Sequence, residues 1–285
     1  NAHFNGGLTA VIKDINNAYY VVASSKVNSQ LHVTGDTNIL SEFEKGYGLY
    51  LGEGTTNSFN KDSSNNGILN ISTGMRGIHS NGNTDFNQEV HIELNANGAT
   101  GILTYDTVSP SLSNFNDKVY INNNSVSNNT SSAYGIAVNN ANGIININNG
   151  AVIDFGDTYT NGNEIGFYSA KGVLNIQGDL TVKTNSGNTQ AVLYAANNGK
   201  IDVRNSVVDF KGDIISNNGA GITMNIKNGS EWEGASYVRN SSTTDISMSG
   251  TTWLMSGDST ITNLELTGNS AVYLNSDPVA GTFTP

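Results

Sequence analysis

The chain has 285 residues, of which 36% are hydrophobic and 13% are charged, with 32 glycines, 3 prolines and no cysteine. Its net charge of −11 argues against a nucleic-acid partner, because phosphates demand a basic surface. The lack of cysteine excludes disulfides and thiolate metal sites. Glycine and the abundant asparagine disfavour helix interiors, and the aliphatic residues come in short runs, so the composition predicts an all-β chain.

Two features of the sequence bear on export of the chain: it lacks membrane and signal segments, and it lacks cysteine. No stretch approaches the roughly 18 to 20 apolar residues of a membrane helix, and residues 1–20 lack the basic start and apolar run of a signal peptide. We therefore expect a mature or excised fragment that does not itself insert into a membrane. A chain that crosses a narrow pore unfolded must be free of disulfides, and the absence of cysteine fits such a route.

Short apolar strips recur along the chain, which is the mark of a repeat architecture. A segment at 67–71 returns at 143–147, 172–176 and 199–203, and a second strip precedes the last three copies at 135–138, 166–168 and 191–194. The final apolar residues Ile147, Ile176 and Val203 recur at nearly equal intervals. Two such strips per unit predict a parallel β-solenoid. About 11 coils, stacked roughly 4.8 Å apart, would form a rod about 50 Å long.

Asparagine pairs are predicted at the corners of the coils. Asn tolerates a left-handed backbone, and stacked Asn side chains hydrogen-bond as a ladder. The predicted corners are Asn139-Asn140, Asn148-Asn149, Asn197-Asn198 and Asn217-Asn218. Three longer segments, at 55–66, 104–118 and 154–164, are predicted loop insertions, either recognition loops on a rigid scaffold or merely tolerated insertions.

The C-terminal stretch differs from the rest. Trp232, Trp253 and Tyr273 recur at shorter and more regular intervals than the strips before them, and we expect each of them to be a structural residue near the start of a short coil. One continuous domain is predicted, with irregular coils and insertions in 1–228 and regular short coils in 229–285.

The run from Trp253 to Leu266 resembles the end of pertactin-like autotransporter passengers. In that family a Trp, an apolar residue, a Gly-Asp-Ser turn and an Asn-Leu-x-Leu segment recur, and here Gly257 to Ser259 form the turn and Asn263 to Leu266 the last segment. The likeness is specific over 229–275, and the upstream coils share only its general character. It implies a single right-handed parallel β-helix in which 229–285 leads into an autochaperone region. We expect the exporting barrel and most of that region to belong to a full precursor.

The resemblance also implies a role. A passenger of this kind is secreted or displayed at the outer membrane of a Gram-negative bacterium, and we expect a virulence factor that binds host cell surfaces as an adhesin does. The expected partner is a host surface receptor or a sulfated glycan, and self-association stays open. One alternative is a released effector that binds a host receptor and triggers signalling such as endothelial growth. The other is a glycan-active β-helix enzyme.

We expect no enzymatic activity, cofactor or metal. The turn at Gly257 matches the nucleophile block of GDSL esterases only superficially, since those enzymes need a downstream histidine and the last histidine here is His91. Thr260 follows Ser259 where a chymotrypsin-type protease has glycine. His79 and His91 lack an acidic cluster at ligand spacing. A β-helix enzyme would set carboxylates on adjacent coils, and the candidates are Asp154, Asp157, Asp202 and Asp209, with Arg204 beside them.

Six basic residues form the candidate site for a glycan or a receptor. Several of them recur at intervals close to the coil period, and ladders on one face would attract a sulfated chain electrostatically. The alternative is a solvated edge. The six are Lys171, Lys183, Lys200, Arg204, Lys211 and Lys227.

Overall fold

The structure is a computed structural model that describes residues 1–13, 19–43, 45–96, 98–105, 108–124, 132–156, 164–183 and 191–274. Every regular element within these ranges is a β-strand, and the strands pair in parallel in three sheets, here named A, B and C. A membrane-spanning helix, long and apolar enough, is not found in the described residues.

Sheets A and B each have eleven strands in these ranges, numbered in chain order through the whole molecule. Sheet A consists of Ala2–Phe4 (β1), Gln30–Thr34 (β4), Thr56–Asn60 (β7), Asn83–Asn87 (β10), Ser111–Phe115 (β13), Gly143–Ile147 (β16), Val173–Gln177 (β19), Lys200–Ser206 (β22), Gly221–Ile226 (β25), Thr243–Ser249 (β28) and Asn263–Thr267 (β30). Sheet B consists of Leu8–Ile12 (β2), Thr37–Ser41 (β5), Ile68–Thr73 (β8), Glu89–Leu94 (β11), Val119–Asn123 (β14), Ala151–Asp154 (β17), Leu180–Lys183 (β20), Val208–Lys211 (β23), Glu231–Gly234 (β26), Thr252–Met255 (β29) and Ala271–Tyr273 (β31).

Sheet C has nine strands in the same ranges. It consists of Tyr20–Ser24 (β3), Tyr47–Leu51 (β6), Arg76–Ser80 (β9), Thr100–Tyr105 (β12), Ala133–Asn139 (β15), Glu164–Ser169 (β18), Ala191–Ala195 (β21), Ile214–Ser216 (β24) and Ser236–Val238 (β27). The chain visits A, B and C in turn as far as β29, after which β30 returns directly to sheet A, and each strand pairs with the strand of its own sheet one turn away. The predicted parallel β-helix of about 11 coils is therefore confirmed. The coils are expected to be right-handed, because crossovers between parallel strands are right-handed in nearly all proteins.

The core is a set of inward-facing columns, one rung per coil. In sheet A, the stacked rings of Phe59, Phe86 and Phe115 have centroids 5.2 and 4.4 Å apart. The same column continues through Ile147, Ile176 and Val203, which pair directly, so the interval that separates them in the sequence is the register of this sheet. All six side chains are buried, and each such burial contributes about 1.5–3 kcal/mol.

The column of sheet B contains two tryptophans near its C-terminal end. A run of isoleucines at 39, 71, 92, 121 and 153 leads through Val182 and Phe210 to Trp232 and Trp253. The two indole rings stack with centroids 4.2 Å apart and an interplanar angle of 8°. Tyr273 does not continue this stack, because Val272 pairs with Trp253 and Tyr273 lies on the outer face, half exposed.

Glycines within the strands of sheet C lie against isoleucines of sheet B. A Cβ atom at Gly135 would lie 2.5 Å from the Ile153 side chain and 2.6 Å from the carbonyl oxygen of Gly166. Gly77 and Gly101 are enclosed in the same way by an isoleucine of sheet B and a backbone carbonyl. Only a residue without a side chain fits where the two sheets approach so closely.

Asparagine ladders run along the outside of the coils. Asn87, Asn116 and Asn148 each donate to the amide oxygen one coil earlier, at 2.6–2.7 Å, beginning from Asn60. A second ladder, on the outer face of sheet A, joins Asn114, Asn146 and Asn175 to Asp85 at 2.7–2.8 Å. The predicted stacking of asparagine is therefore confirmed, and Asn148 is a predicted corner residue.

Left-handed backbone also occurs at predicted corners. Asn197, Asn198 and Asn218 have φ values of 47°, 68° and 54°. Asn218 donates to the amide oxygen of Asn197 at 3.1 Å, so the corner of one coil is tied to the next. The predicted corners at 197–198 and 217–218 are confirmed by this geometry.

The prediction of two strips per coil is wrong, since each full coil has three strands. The segment 67–71 lies mostly in β8 of sheet B, whereas 143–147 is β16 of sheet A. Strands in both sheets alternate inward and outward side chains, so similarity in sequence does not show whether a strip belongs to sheet A or to sheet B. Coils also shorten before residue 229. Lys200 pairs with Val173 in the coil before it and with Gly221 in the coil after it, and Gly221 is the closer of the two along the chain.

Two predicted insertions contain strands. Segment 55–66 includes β7 and segment 104–118 includes β13. Their inward positions include the polar residues Asn57 and Ser113, whose presence removed the aliphatic signal of a strand. Asn57 Nδ2 donates to Thr55 Oγ1 at 2.9 Å, and Ser113 Oγ donates to Ser80 Oγ at 2.7 Å. Segment 154–164 does connect β17 to β18, but residues 157–163 lie outside the described ranges.

Candidate binding groove on sheet B

The six basic candidates do not form one ladder. Lys200 pairs with Val173 and Gly221, whereas Lys171 precedes β19 and Lys227 follows β25. These three lysines therefore occupy three different positions around the coil, although their spacing along the chain is close to its period.

Lys183 and Lys211 are brought together, but acids flank them. Val182 pairs with Phe210, so the lysines that follow lie side by side on the outer face of sheet B. Lys183 pairs with Asp154 on one side, and Lys211 pairs with Glu233 on the other and forms an ion pair with it at 3.4 Å. The fields of two cations flanked this closely by two anions largely cancel beyond a Debye length, which weakens the case for a sulfated glycan at this face.

The acids proposed for an enzyme do not share one face of the rod. Asp202 forms an ion pair with Arg204 within β22, with Oδ2 and Nη2 2.5 Å apart. Asp209 lies on the outer face of sheet B, not of sheet A, and Asp157 is outside the described ranges. No three His, Asp or Glu side chains converge as metal ligands in the part of the chain that the structure describes.

A groove of about 660 Å³ lies on the outer face of sheet B, across β5, β8, β11, β14 and β17. Two columns of outward side chains form its floor, because alternate residues of each strand point away from the core. The first column is Asn38, Asn70, His91, Tyr120 and Val152. The second is Leu40, Ser72, Glu93, Asn122 and Asp154. We call this surface the sheet B groove.

An aromatic pair occupies the middle of the groove. The rings of His91 and Tyr120 have centroids 4.6 Å apart and an interplanar angle of 39°. Glu89 accepts a hydrogen bond from His91 Nε2 at 3.1 Å, and this contact orients the imidazole ring. Burial raises the pKa of Tyr120, as do Glu89 and Asp117, so the phenol stays protonated and neutral at ordinary pH.

The carboxylates of the groove are partly used by the fold. Glu93 Oε1 accepts a hydrogen bond from Asn124 Nδ2 at 3.3 Å, and Asp154 Oδ1 accepts one from the backbone N–H of Gly156 at 2.8 Å. Among the described residues, the second oxygen of each carboxylate has no hydrogen-bond donor, and both residues line the groove. Both can therefore accept hydrogen bonds from a ligand.

One edge of the groove is held by an ion pair at the corner between sheets A and B. Lys61 Nζ lies 2.6 Å from Asp117 Oδ2. Burial alone would raise the pKa of Asp117, but hydrogen bonds from Lys61, the Lys118 N–H and Asn149 hold it below its usual range. The ion pair links two coils that have the coil of β10 between them, and this supports a groove of fixed shape.

None of the groove residues except Asp154 was a candidate in the sequence analysis. The signal was present as strips such as Val90 to Leu94 and Val119 to Asn123, whose alternate residues point outward. It could be used only once these strips were assigned to one sheet with a common register.

The comparisons with known proteins add no identity to this geometry. Protein-family models, curated proteins and solved structures were each searched, and none of the three searches returned a significant match.

Proposed function

We propose that this chain is the passenger of a Gram-negative autotransporter, secreted or displayed at the cell surface, and that it binds host cell surfaces through its lateral faces. The family assignment is supported by the run from Trp253 to Leu266. The binding role is supported by the sheet B groove, in which polar and aromatic side chains from five coils face outward.

The rod shape favours repeated contacts. Eleven coils at roughly 4.8 Å each hold their outward side chains in one register over about 50 Å. A rigid array of this kind converts several weak contacts into one stronger attachment when the partner is itself repetitive. This is the mechanism that we propose for adhesion.

The test of adhesion uses the purified chain, labelled and added to epithelial and endothelial cells. We expect saturable binding that Tyr120→Ala reduces, whereas Tyr194→Ala, a half-buried tyrosine on sheet C, leaves it unchanged. Growth signalling is scored in the same wells. Signalling by the dilute soluble chain would favour the effector alternative, and absence of saturable binding to either cell type would contradict adhesion.

The autotransporter assignment has its own test. The full precursor is expressed in a Gram-negative host, and an antibody to this chain is applied to intact cells. We expect labelling on the outside of the cells or release of the chain into the medium. Retention of the chain in the periplasm would contradict the assignment.

A second candidate function is favoured by the separation of Glu93 and Asp154. They lie two strands apart in one column, which places their Cα atoms about 10 Å apart. Inverting glycosidases hold their two carboxyl groups roughly 6.5–9.5 Å apart, and two side chains whose Cα atoms have this spacing reach that range when they lean towards each other, so hydrolysis of a bound glycan is the enzymatic alternative. Release of reducing ends from oligosaccharides, lost in both Glu93→Gln and Asp154→Asn, would establish it. Without such release, binding alone is the function of the groove.

A further inference from the structure

We propose that the sheet B groove binds an uncharged glycan, lying across the coils with its sugar rings against Tyr120 and His91. This inference rests on the proposed function, because it names the ligand class of the same surface. It replaces the basic candidates with a different set of residues on a different stretch of the rod.

The aromatic pair provides the apolar half of the recognition. The C–H faces of a sugar ring pack against aromatic side chains, and Tyr and His each offer a rigid ring with few rotatable bonds. Tyr120 and His91 are half-buried and contact each other, so little side-chain entropy is lost when a ligand covers them. They lie on adjacent coils at the centre of the groove.

The second column provides the polar half. Glu93, Asn122 and Asp154 stand on three successive coils beside the aromatic pair. Neighbouring columns on a strand are roughly 7 Å apart, and successive coils roughly 4.8 Å apart, so one sugar ring spans about one rung. Carboxylate and amide groups are suited to vicinal hydroxyls, because each can engage two hydrogen bonds at once.

Charge selects among glycans. Glu89, Glu93 and Asp154 lie in or beside the groove, against Lys118, whose Nζ is 5.8 Å from the Tyr120 ring centroid, and Lys183, which pairs with Asp154 at the far end. The whole chain carries a net charge of −11. A sulfated or sialylated chain would be repelled by this surface, whereas an uncharged chain loses nothing by approaching it.

The direct test measures binding of the full chain to soluble oligosaccharides. The probes are cello-, xylo-, manno- and N-acetylchito-oligosaccharides, with heparin oligosaccharides as the charged comparison. Isothermal titration calorimetry measures the binding of each. We expect saturable binding to at least one uncharged series and weaker or no binding to heparin. Tyr120→Ala should weaken the Kd at least about tenfold, the loss expected for a central aromatic anchor.

One control variant and one further groove variant separate the groove from the fold. Tyr194→Ala removes a comparable ring from sheet C and should leave the Kd within about twofold of the parent. Asn122→Ala truncates a groove side chain without touching the core, and it should weaken binding. Thermal unfolding of each variant checks that the coils are intact. No binding to any uncharged series, or a Kd that Tyr120→Ala does not change, would overturn the inference.

Cell binding distinguishes this inference from the proposed function. If the chain still binds cells stripped of their surface glycans, adhesion stands and the glycan inference fails. If the chain binds oligosaccharides but no host cell, the glycan inference stands and adhesion fails. Preferential binding to heparin, retained in Tyr120→Ala and lost in Lys183→Ala with Lys211→Ala, would assign recognition to the lysines instead.

Discussion

Trp232 and Trp253 stack face to face, and each indole Nε1 donates to a glycine carbonyl oxygen at 2.9 Å, that of Gly212 and that of Gly234 respectively. The same arrangement is thus built twice, one coil apart. Each ring fills the interior of a short coil while its one polar atom is satisfied, which is the condition for burying tryptophan without loss.

Truncating one ring should therefore be severe. We expect Trp253→Ala to lower the free energy of unfolding by about 3–5 kcal/mol, because it leaves a cavity beside Trp232 and frees the Gly234 carbonyl group. Tyr273→Ala is the control, since this half-exposed side chain should cost no more than about 0.5 kcal/mol. Chemical denaturation measures the loss of unfolding free energy in both variants. Equal losses would contradict a stabilising role for the stacked tryptophans.

The close approach of sheets B and C at Gly135 predicts a different kind of sensitivity. Gly135→Ala adds one methyl group that would meet Ile153 and the Gly166 carbonyl, and overpacking of this kind costs about 1–3 kcal/mol. Gly221→Ala adds the same methyl group within sheet A, where the nearest atom is Thr243 Oγ1 at 3.5 Å. Denaturation midpoints should fall for the first variant and stay level or rise for the second. A fall of equal size in both would contradict the close approach.

The outer ladder on sheet A predicts a modest, local loss. Asn146→Ala removes the amide that donates to Asn114 and accepts from Asn175, and we expect about 0.5–1.5 kcal/mol per hydrogen bond lost. Asn225→Ala is the matched control, because this exposed side chain has no hydrogen-bond partner among the described residues. If the two variants unfold at the same denaturant concentration, the ladder does not stabilise the rod.

His79 predicts a dependence of stability on pH. Its Nδ1 accepts a hydrogen bond from the Tyr20 hydroxyl at 2.6 Å, and burial, followed by the charge of Arg76, lowers its pKa from 6.5 to about 4. Between these two pH values the unfolded chain binds a proton that the folded chain does not. Stability is therefore unaffected above about pH 6.5 and falls as the pH drops towards 4, by about 3 kcal/mol in total.

The measurement compares the parent with His79→Asn, which does not titrate. Denaturant unfolding at several pH values between 7 and 4 gives the free energy of unfolding of each protein. As the pH falls, the parent should lose more of this free energy than the variant does. Other titrating groups contribute equally to both proteins and cancel from the difference. A gap that stays constant over this range would mean that His79 is not held neutral by the fold.

Periodicity in the sequence was enough to predict the architecture. Ile147, Ile176 and Val203 must all be buried, and a strand that slips by one residue would expose its whole apolar set, so their spacing had to be the register of one sheet. Asparagine pairs identified the corners for a related reason, since few other residues accept a left-handed backbone there. The aliphatic spacing and the asparagine pairs are local signals, so they can be recognised in the sequence without the tertiary structure.

The tertiary structure alone decided which side chains meet on the surface. Lys171, Lys200 and Lys227 are nearly one period apart yet lie at different positions. The corners differ in length from coil to coil, and these side chains, unlike the buried aliphatic ones, are not held in register by the core. His91 and Tyr120 contact each other because β11 and β14 pair in sheet B, a sheet whose strips look like those of sheet A. Burial is dictated by each strip separately, whereas the sheet B groove depends on how several strips align.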